Sequence, residues 1–148
     1  MDQLFNKLAK KYSNEKKDFI IHREYKISFK ELFEKNYSIL KNFSQGDVVA
    51  IIGDFNASTI NILIKLIDLK TIIIPLTKET RPNHKYFFKE ACVDYVIENN
   101  KLTKLKNFKK NLLLEKFRLL RSAGIVFFSS GTTGRPKAIL HDLNIFFE

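Results

Sequence analysis

Nine consecutive residues, Ser129-Ser130-Gly131-Thr132-Thr133-Gly134-Arg135-Pro136-Lys137, bring together four hydroxyls, two glycines and two cations. Hydroxyls and backbone N–H groups both donate to oxygen, and successive N–H groups in such a loop can turn inward as a nest for an anion. Gly131 and Gly134 permit positive φ and close approach of an anion to the backbone. Arg135 and Lys137 add charge, the lysine as a point charge on a long stem, and Pro136 stiffens the exit. Together these parts suit a polyphosphate. The spacing excludes two other phosphate loops. A Walker A loop needs Gly, four residues and then Gly-Lys-Ser/Thr, whereas here Gly131 and Gly134 are three apart and Ala138 follows Lys137. The Gly-x-Gly-x-x-Gly dinucleotide fingerprint is also missing. The structural alternative is a hairpin turn rich in glycine and hydroxyls; the full string with its cations favours the phosphate loop.

A loop of this kind needs a rigid strand to present it. AGIVFFSS (123–130) reads as a buried strand that runs directly into it, and KAIL (137–140) as a strand pairing back. VVAIIG (48–53), TIIIPL (71–76) and VDYVIE (93–98) are further short apolar runs, the pattern of strands covered on both faces. Between them lie helical segments: INILIKLIDL, with Ser58 or Thr59 as cap; HKYFFKEAC, with Pro82 near its start; and LLLEKFRLLRS. Upstream, Leu4, Phe5, Leu8 and Tyr12 predict an amphipathic helix over 2–13, and DFIIHREYKISF predicts two strands around a His-Arg-Glu turn. Ser28 and Glu31 form a capping box for a helix running to about Asn42, with Gly46 as its stop. Asp142 is expected to cap a last helix. Strand and helix alternate from residue 47 onward, so the fold class is α/β, with an incomplete, largely parallel sheet and helices on its faces.

The chain has 148 residues, 45% of them hydrophobic, which suits one domain or a piece of a larger one. Lys and Arg total 26 against 16 Asp and Glu, a formal charge of +10. Such a balance fits nucleic acid, an anionic membrane or a polyanionic small substrate. No helix-turn-helix, zinc or RNP-type signature accompanies it and the basic residues are spread out, so the nucleic-acid reading is the lesser one. The single cysteine, Cys92, allows no internal disulfide and reads as a small buried hydrophobe. The charged N-terminus lacks the apolar core of a signal peptide. The longest apolar run is broken by Lys65, Asp68 and Lys70, so no membrane span is expected and a cytoplasmic location follows. His22 and His84 are expected at the surface, and Asp54 to turn the chain after its strand. No residues have metal-ligand spacing.

Ser129 to Lys137 resembles the phosphate-binding signature of the adenylate-forming (AMP-binding, acyl-CoA synthetase-like) enzymes, which include acyl-CoA synthetases, adenylation domains of peptide synthetases and luciferases. ISFKEL (27–32), QGDVVAI (45–51), LIDLKTIIIPL (66–76), VDYVIE and AILHD resemble family segments in the same order, so the resemblance covers nearly the whole chain. It implies the first part of the family's large N-terminal domain, over 1–148, ending just after the phosphate loop and without the C-terminal lid domain. It further implies ATP with Mg²⁺, a small-molecule carboxylate, and coenzyme A or a carrier-protein phosphopantetheine as acceptor. Carboxylate attack on the α-phosphate would give an acyl-adenylate and pyrophosphate, and a thiol would then take the acyl group. Carried over by position, Ser129, Ser130, Gly131, Thr132, Thr133, Gly134 and Lys137 would hold the ATP phosphates, with Thr132 and Thr133 in direct contact; His141 either lines the site or is structural. The catalytic lysine of the family lies in its C-terminal domain, so no catalytic residue is assigned here. The expectation is a chain not competent alone: one half of a split protein working with a separately encoded C-terminal half, an inactive remnant, or a simple phosphate-binding module. Two positions depart from the family pattern. Ala138 stands where a glycine commonly follows the lysine. Lys70 stands where a glycine precedes the Ile-Ile-Ile-Pro-Leu strand, and a positive φ there would cost roughly 1 kcal/mol.

Overall fold

Apolar residues at helical spacing and a short hairpin open the chain. The computed structural model describes residues 4–12, 18–22, 24–34, 37–54, 56–106, 111–129 and 134–146. Helix α1 (Leu4–Tyr12) lies against an antiparallel hairpin of β1 (Asp18–His22) and β2 (Tyr25–Ser28). The Phe19 ring meets Tyr12 and Phe29 edge-on, each at 5.2 Å between centroids. Helix α2 (Phe29–Glu34) begins with the expected capping box. The Ser28 N–H donates to Glu31 Oε2 (2.9 Å), and the Glu31 N–H donates to Ser28 Oγ (3.3 Å). This satisfies two donors that a helix start would otherwise leave unmet.

The predicted continuation of that helix to Asn42 is not found. Tyr37 is extended (φ −111°, ψ 115°), and Ser38–Asn42 form a 3-10 turn. The reason is tertiary. The extended residue places its hydroxyl 2.9 Å from Ser58 Oγ, and Ile39 and Leu40 pack against a buried cluster containing Phe43, Ile62 and Leu66. One side of a helix could not make both contacts. Gly46 therefore stops no α-helix; it sits in the turn that leads into the main sheet.

That sheet has six strands, β3 (Val48–Ile52), β4 (Ile72–Leu76), β5 (Tyr95–Glu98), β6 (Lys101–Lys104), β7 (Gly124–Ser129) and β8 (Lys137–Asp142). Their order is β6-β5-β3-β4-β7-β8. The central four run parallel, and β6 and β8 run antiparallel at the edges. Every residue of β3 is buried. Val49, Ile51, Ile73 and Ile97 face α3 (Ala57–Asp68), while Val48, Ala50, Ile52, Ile72, Ile74, Val96 and Val126 face α4 (His84–Glu90) and α5 (Leu112–Leu119). The two-residue side-chain period of a strand thus feeds two separate cores.

Three local expectations are corrected. The cap of α3 is Asn56, whose Oδ1 accepts from the Thr59 N–H (3.0 Å); Ser58 and Thr59 lie inside the helix. Strand β6 was not foreseen; Asn99 and Asn100, both at positive φ (49° and 60°), make a two-residue hairpin turn into it. His84 is buried, not exposed, because it opens α4 with its ring facing inward, Nε2 at 3.0 Å from Thr80 Oγ1 and 3.1 Å from the Thr77 carbonyl. The side chain of His22 is outside the described residues. Cys92 is buried as expected, and Asp142 accepts the Asn144 N–H (2.9 Å) at the start of a closing 3-10 turn, Leu143–Phe146.

Lys70 does take positive φ (56°). It occupies the left-handed position that ends α3. Its N–H bonds the Ile67 carbonyl (2.9 Å), and the Thr71 N–H bonds the Leu66 carbonyl (3.2 Å), the pair of bonds that defines a Schellman motif. Glycine fits this position without a Cβ conflict, so Lys70→Gly is expected to raise stability by about 1 kcal/mol in urea unfolding. An unchanged or lower midpoint would show that Lys70 holds contacts that outweigh its backbone strain.

Candidate functional site

The carboxyl ends of β3, β4, β5 and β7 share one edge of the sheet, because these strands are parallel. Ser129 ends β7 and pairs directly with Lys137, which begins β8. The two ends of the Ser/Gly/Thr segment are therefore held side by side at that edge. Ser130, Gly131, Thr132 and Thr133 lie outside the described residues. Of the other expected phosphate-binding residues, Ser129 is half-buried at the loop's entrance, and Gly134 and Lys137 are exposed at its exit. Gly134 has φ +90°, with nothing within 4 Å of where a Cβ would stand. That is the permissive backbone expected of a residue lining an anion nest.

The anchoring of the loop comes from the sheet's second face. Phe128 stacks on Phe87 of α4, with ring centroids 4.0 Å apart. One residue earlier on the same helix, the Tyr86 hydroxyl donates to the Pro136 carbonyl (2.9 Å). Tyr86 was missed at the level of sequence, since it reaches across 50 positions and nothing local marks it. Tyr86→Phe is expected to remove one net hydrogen bond, about 1 kcal/mol, and so to speed amide exchange at 137–139 roughly fivefold. Unchanged exchange would mean that the strand pairing alone closes the loop.

His141 sits on β8, beyond the exit of the loop. It pairs with Ile125, four positions along β8 from Lys137, which is about 13 Å of extended strand, and its ring lies 5.8 Å from that of Phe127.

A second feature at the same edge was also missed. Gly53, Asn56, Ser58, Lys78, Asn99 and Asn100 contribute to the lining of a cleft of about 330 Å³. It opens where β3 sends its chain to α3 on one face and β4 sends its chain to α4 on the other. Such a divergence leaves a crevice beyond the strand ends, where ligands of open α/β sheets bind. Its polar groups are knitted together: Ser58 Oγ lies 3.3 Å from Asn100 Oδ1, and the two loops beyond β4 and β5 are joined by an ion pair between Arg81 and Glu98. In the segment after β4, the Thr77 hydroxyl holds the Glu79 carboxyl below its usual range. Among the described residues, no group of His, Cys, Asp and Glu is placed to hold a metal ion. No helix among them is long and apolar enough to cross a membrane.

No protein-family model and no curated protein matches the chain. Solved structures do. The N-terminal subdomain of Klebsiella oxytoca NpsA in complex with anthranilyl-AMSN superimposes with a TM-score of 0.67 at 17% identity, over 93% of this chain and 40% of that one. O-succinylbenzoate coenzyme A synthetase (MenE) from Bacillus subtilis, in complex with AMP, gives 0.66 at 15% identity, over 97% and 43%. VinN gives 0.66 at 17% identity, over 94% and 44%. The chain therefore has the fold of the first part of such N-terminal subdomains, as the sequence implied, and it spans about two fifths of their length.

Proposed function

We propose that this chain is the phosphate-holding front part of an ATP-dependent, carboxylate-activating ligase. The observation that carries the reading is the position of the Ser129–Lys137 string. It stands at the carboxyl edge of a parallel sheet whose fold is shared with proteins crystallised with AMP and with an acyl-AMSN compound. In the proposed reaction, a small-molecule carboxylate attacks the α-phosphate of ATP. An acyl-adenylate forms and pyrophosphate leaves. Backbone N–H groups and the hydroxyls of Ser129, Ser130, Thr132 and Thr133 would hold the β- and γ-phosphates, with Gly131 and Gly134 allowing close approach. Lys137 would offset the charge gathering on the leaving pyrophosphate. Donors fixed in advance act most strongly where charge develops, because they need no reorganisation at that moment. The donor set fits phosphate oxygens, and Mg²⁺ would enter on the nucleotide, supplying charge neutralisation. A thiol acceptor, coenzyme A or a carrier-protein phosphopantetheine, would complete the reaction; an artificially fused adenylation–PCP di-domain among the structural neighbours is consistent with the second.

Because the chain spans about two fifths of those neighbours, the activity belongs to this chain together with the remaining part of the domain, in the cytoplasm. The test is carboxylate-dependent ATP–pyrophosphate exchange by the chain joined to the polypeptide encoded beside it. Exchange supports the ligase. Weak binding of MgATP or pyrophosphate by the chain without exchange in the joined protein would instead favour a bare phosphate-binding module or a remnant.

A further inference from the structure

Helix α5 is folded onto the sheet by Leu114 and Phe117, both buried in the core shared with α4, and Asn111 caps it by accepting the N–H groups of Leu113 and Leu114. Its opposite side is apolar and uncovered. Leu112, Leu113, Leu119 and Leu120 are 79%, 62%, 81% and 63% exposed. At about 100° per residue, these four leucines and Lys116 fall within roughly 120° of arc. They make one continuous stripe, with a cation in its middle and Arg121 at its end. Lys116 and Arg121 are exposed and form no ion pair among the described residues.

We propose that this stripe lies on an anionic phospholipid surface. A leucine stripe interleaved with cations is the composition of a helix that rests in the headgroup layer, its leucines among the acyl chains and its lysine stem reaching up to phosphate. Two observations favour a lipid surface over a second copy of the chain. Two molecules of net charge +10 repel each other, whereas an anionic surface attracts both the patch and the whole. The helix also needs no ordering on contact, since its inner face already holds it in shape. Its position leaves the phosphate loop free. Arg118 Nε donates to the Gly46 carbonyl (2.9 Å) and Nη2 reaches Asp94 (3.3 Å), which ties α5 to the amino ends of β3 and β5. The Ser129–Lys137 loop is at the opposite edge.

The experiment is co-sedimentation of the chain joined to the polypeptide encoded beside it, so that the remaining part of the domain is in place, with vesicles of phosphatidylcholine alone, and with about 30% phosphatidylserine. Binding is expected to the anionic vesicles, about tenfold weaker on neutral ones and falling as salt rises. Leu113→Asp with Leu119→Asp should abolish it, with an unchanged far-ultraviolet circular dichroism spectrum because both positions face water. Three results would overturn the proposal: no sedimentation, equal binding to neutral vesicles, or binding untouched by the double variant. A lipid-free dimer in analytical ultracentrifugation that the double variant dissociates would also overturn it and assign the stripe to a second copy.

Discussion

Replacing Thr132 and Thr133 together by alanine is expected to lower carboxylate-dependent ATP–pyrophosphate exchange about a hundredfold or more in the joined protein, with little change in its unfolding midpoint. In the proposed site these are two of the four hydroxyls offered to the phosphates, and alanine donates nothing in their place. Loss of one preorganised donor to a developing negative charge costs on the order of 3 kcal/mol in the transition state. The backbone N–H groups survive the substitution, so some exchange should remain. Lys137→Ala is expected to have a smaller effect on nucleotide binding, because a mobile ammonium at the loop's exit contributes screened charge and not fixed geometry. Robust exchange that ignores the double substitution would remove the phosphates from this loop and leave the cleft beyond β3 and β4 as the better location.

The largest stability effect is expected from Gly46→Ala, a loss of about 3 kcal/mol and so roughly 8 °C in Tm. Two independent terms add. Gly46 has φ +81°, and a Cβ in that region costs about 1 kcal/mol. The added carbon would also stand 2.8 Å from Arg118 Cγ and 3.5 Å from its Cβ. An arginine could ordinarily swing away, but this one is held by the Gly46 carbonyl, by Glu115 (2.8 Å) and by Asp94. Asp94 in turn accepts the Val48 N–H (2.9 Å) at the start of β3, so displacing Arg118 disturbs the head of the central strand. Gly134→Ala separates the two terms. Its φ is as positive, yet nothing stands near its Cβ, and it should lose only the backbone part, about 1 kcal/mol. In an Arg118→Ala background the Gly46 substitution should likewise fall to about 1 kcal/mol, a coupling that a double-mutant cycle reads directly. Equal costs for both glycines would show that contact with Arg118 is not what constrains the turn.

Much of the architecture was legible from neighbouring residues alone. Continuous apolar runs announced β3, β4, β5 and β7, and the Ser28–Glu31 box started α2 where the structure starts it. The Asn99–Asn100 pair is a signal for β6, since asparagine tolerates positive φ better than most residues, but the same stretch reads equally well as a polar loop. The glycine missing at residue 70 correctly marked a strained backbone, because a helix of that length ending just before a buried strand must turn through the left-handed region.

What the sequence determined by itself is the set of features that depend on spacing along the chain: the alternation of strand and helix, the helix caps of the α2 type, and the strand that ends at Ser129 with a partner strand beginning at Lys137. Tertiary structure alone decided the order β6-β5-β3-β4-β7-β8, the break at Tyr37, the inward turn of His84, and the grip of Tyr86 on the Pro136 carbonyl. It also decided that His141 pairs with Ile125 and that an unforeseen cleft stands at the carboxyl edge of the sheet. The physical reason is the same in each case. These features are settled by contacts between residues many positions apart, whose energies outweigh local preference and leave no periodic trace in the chain.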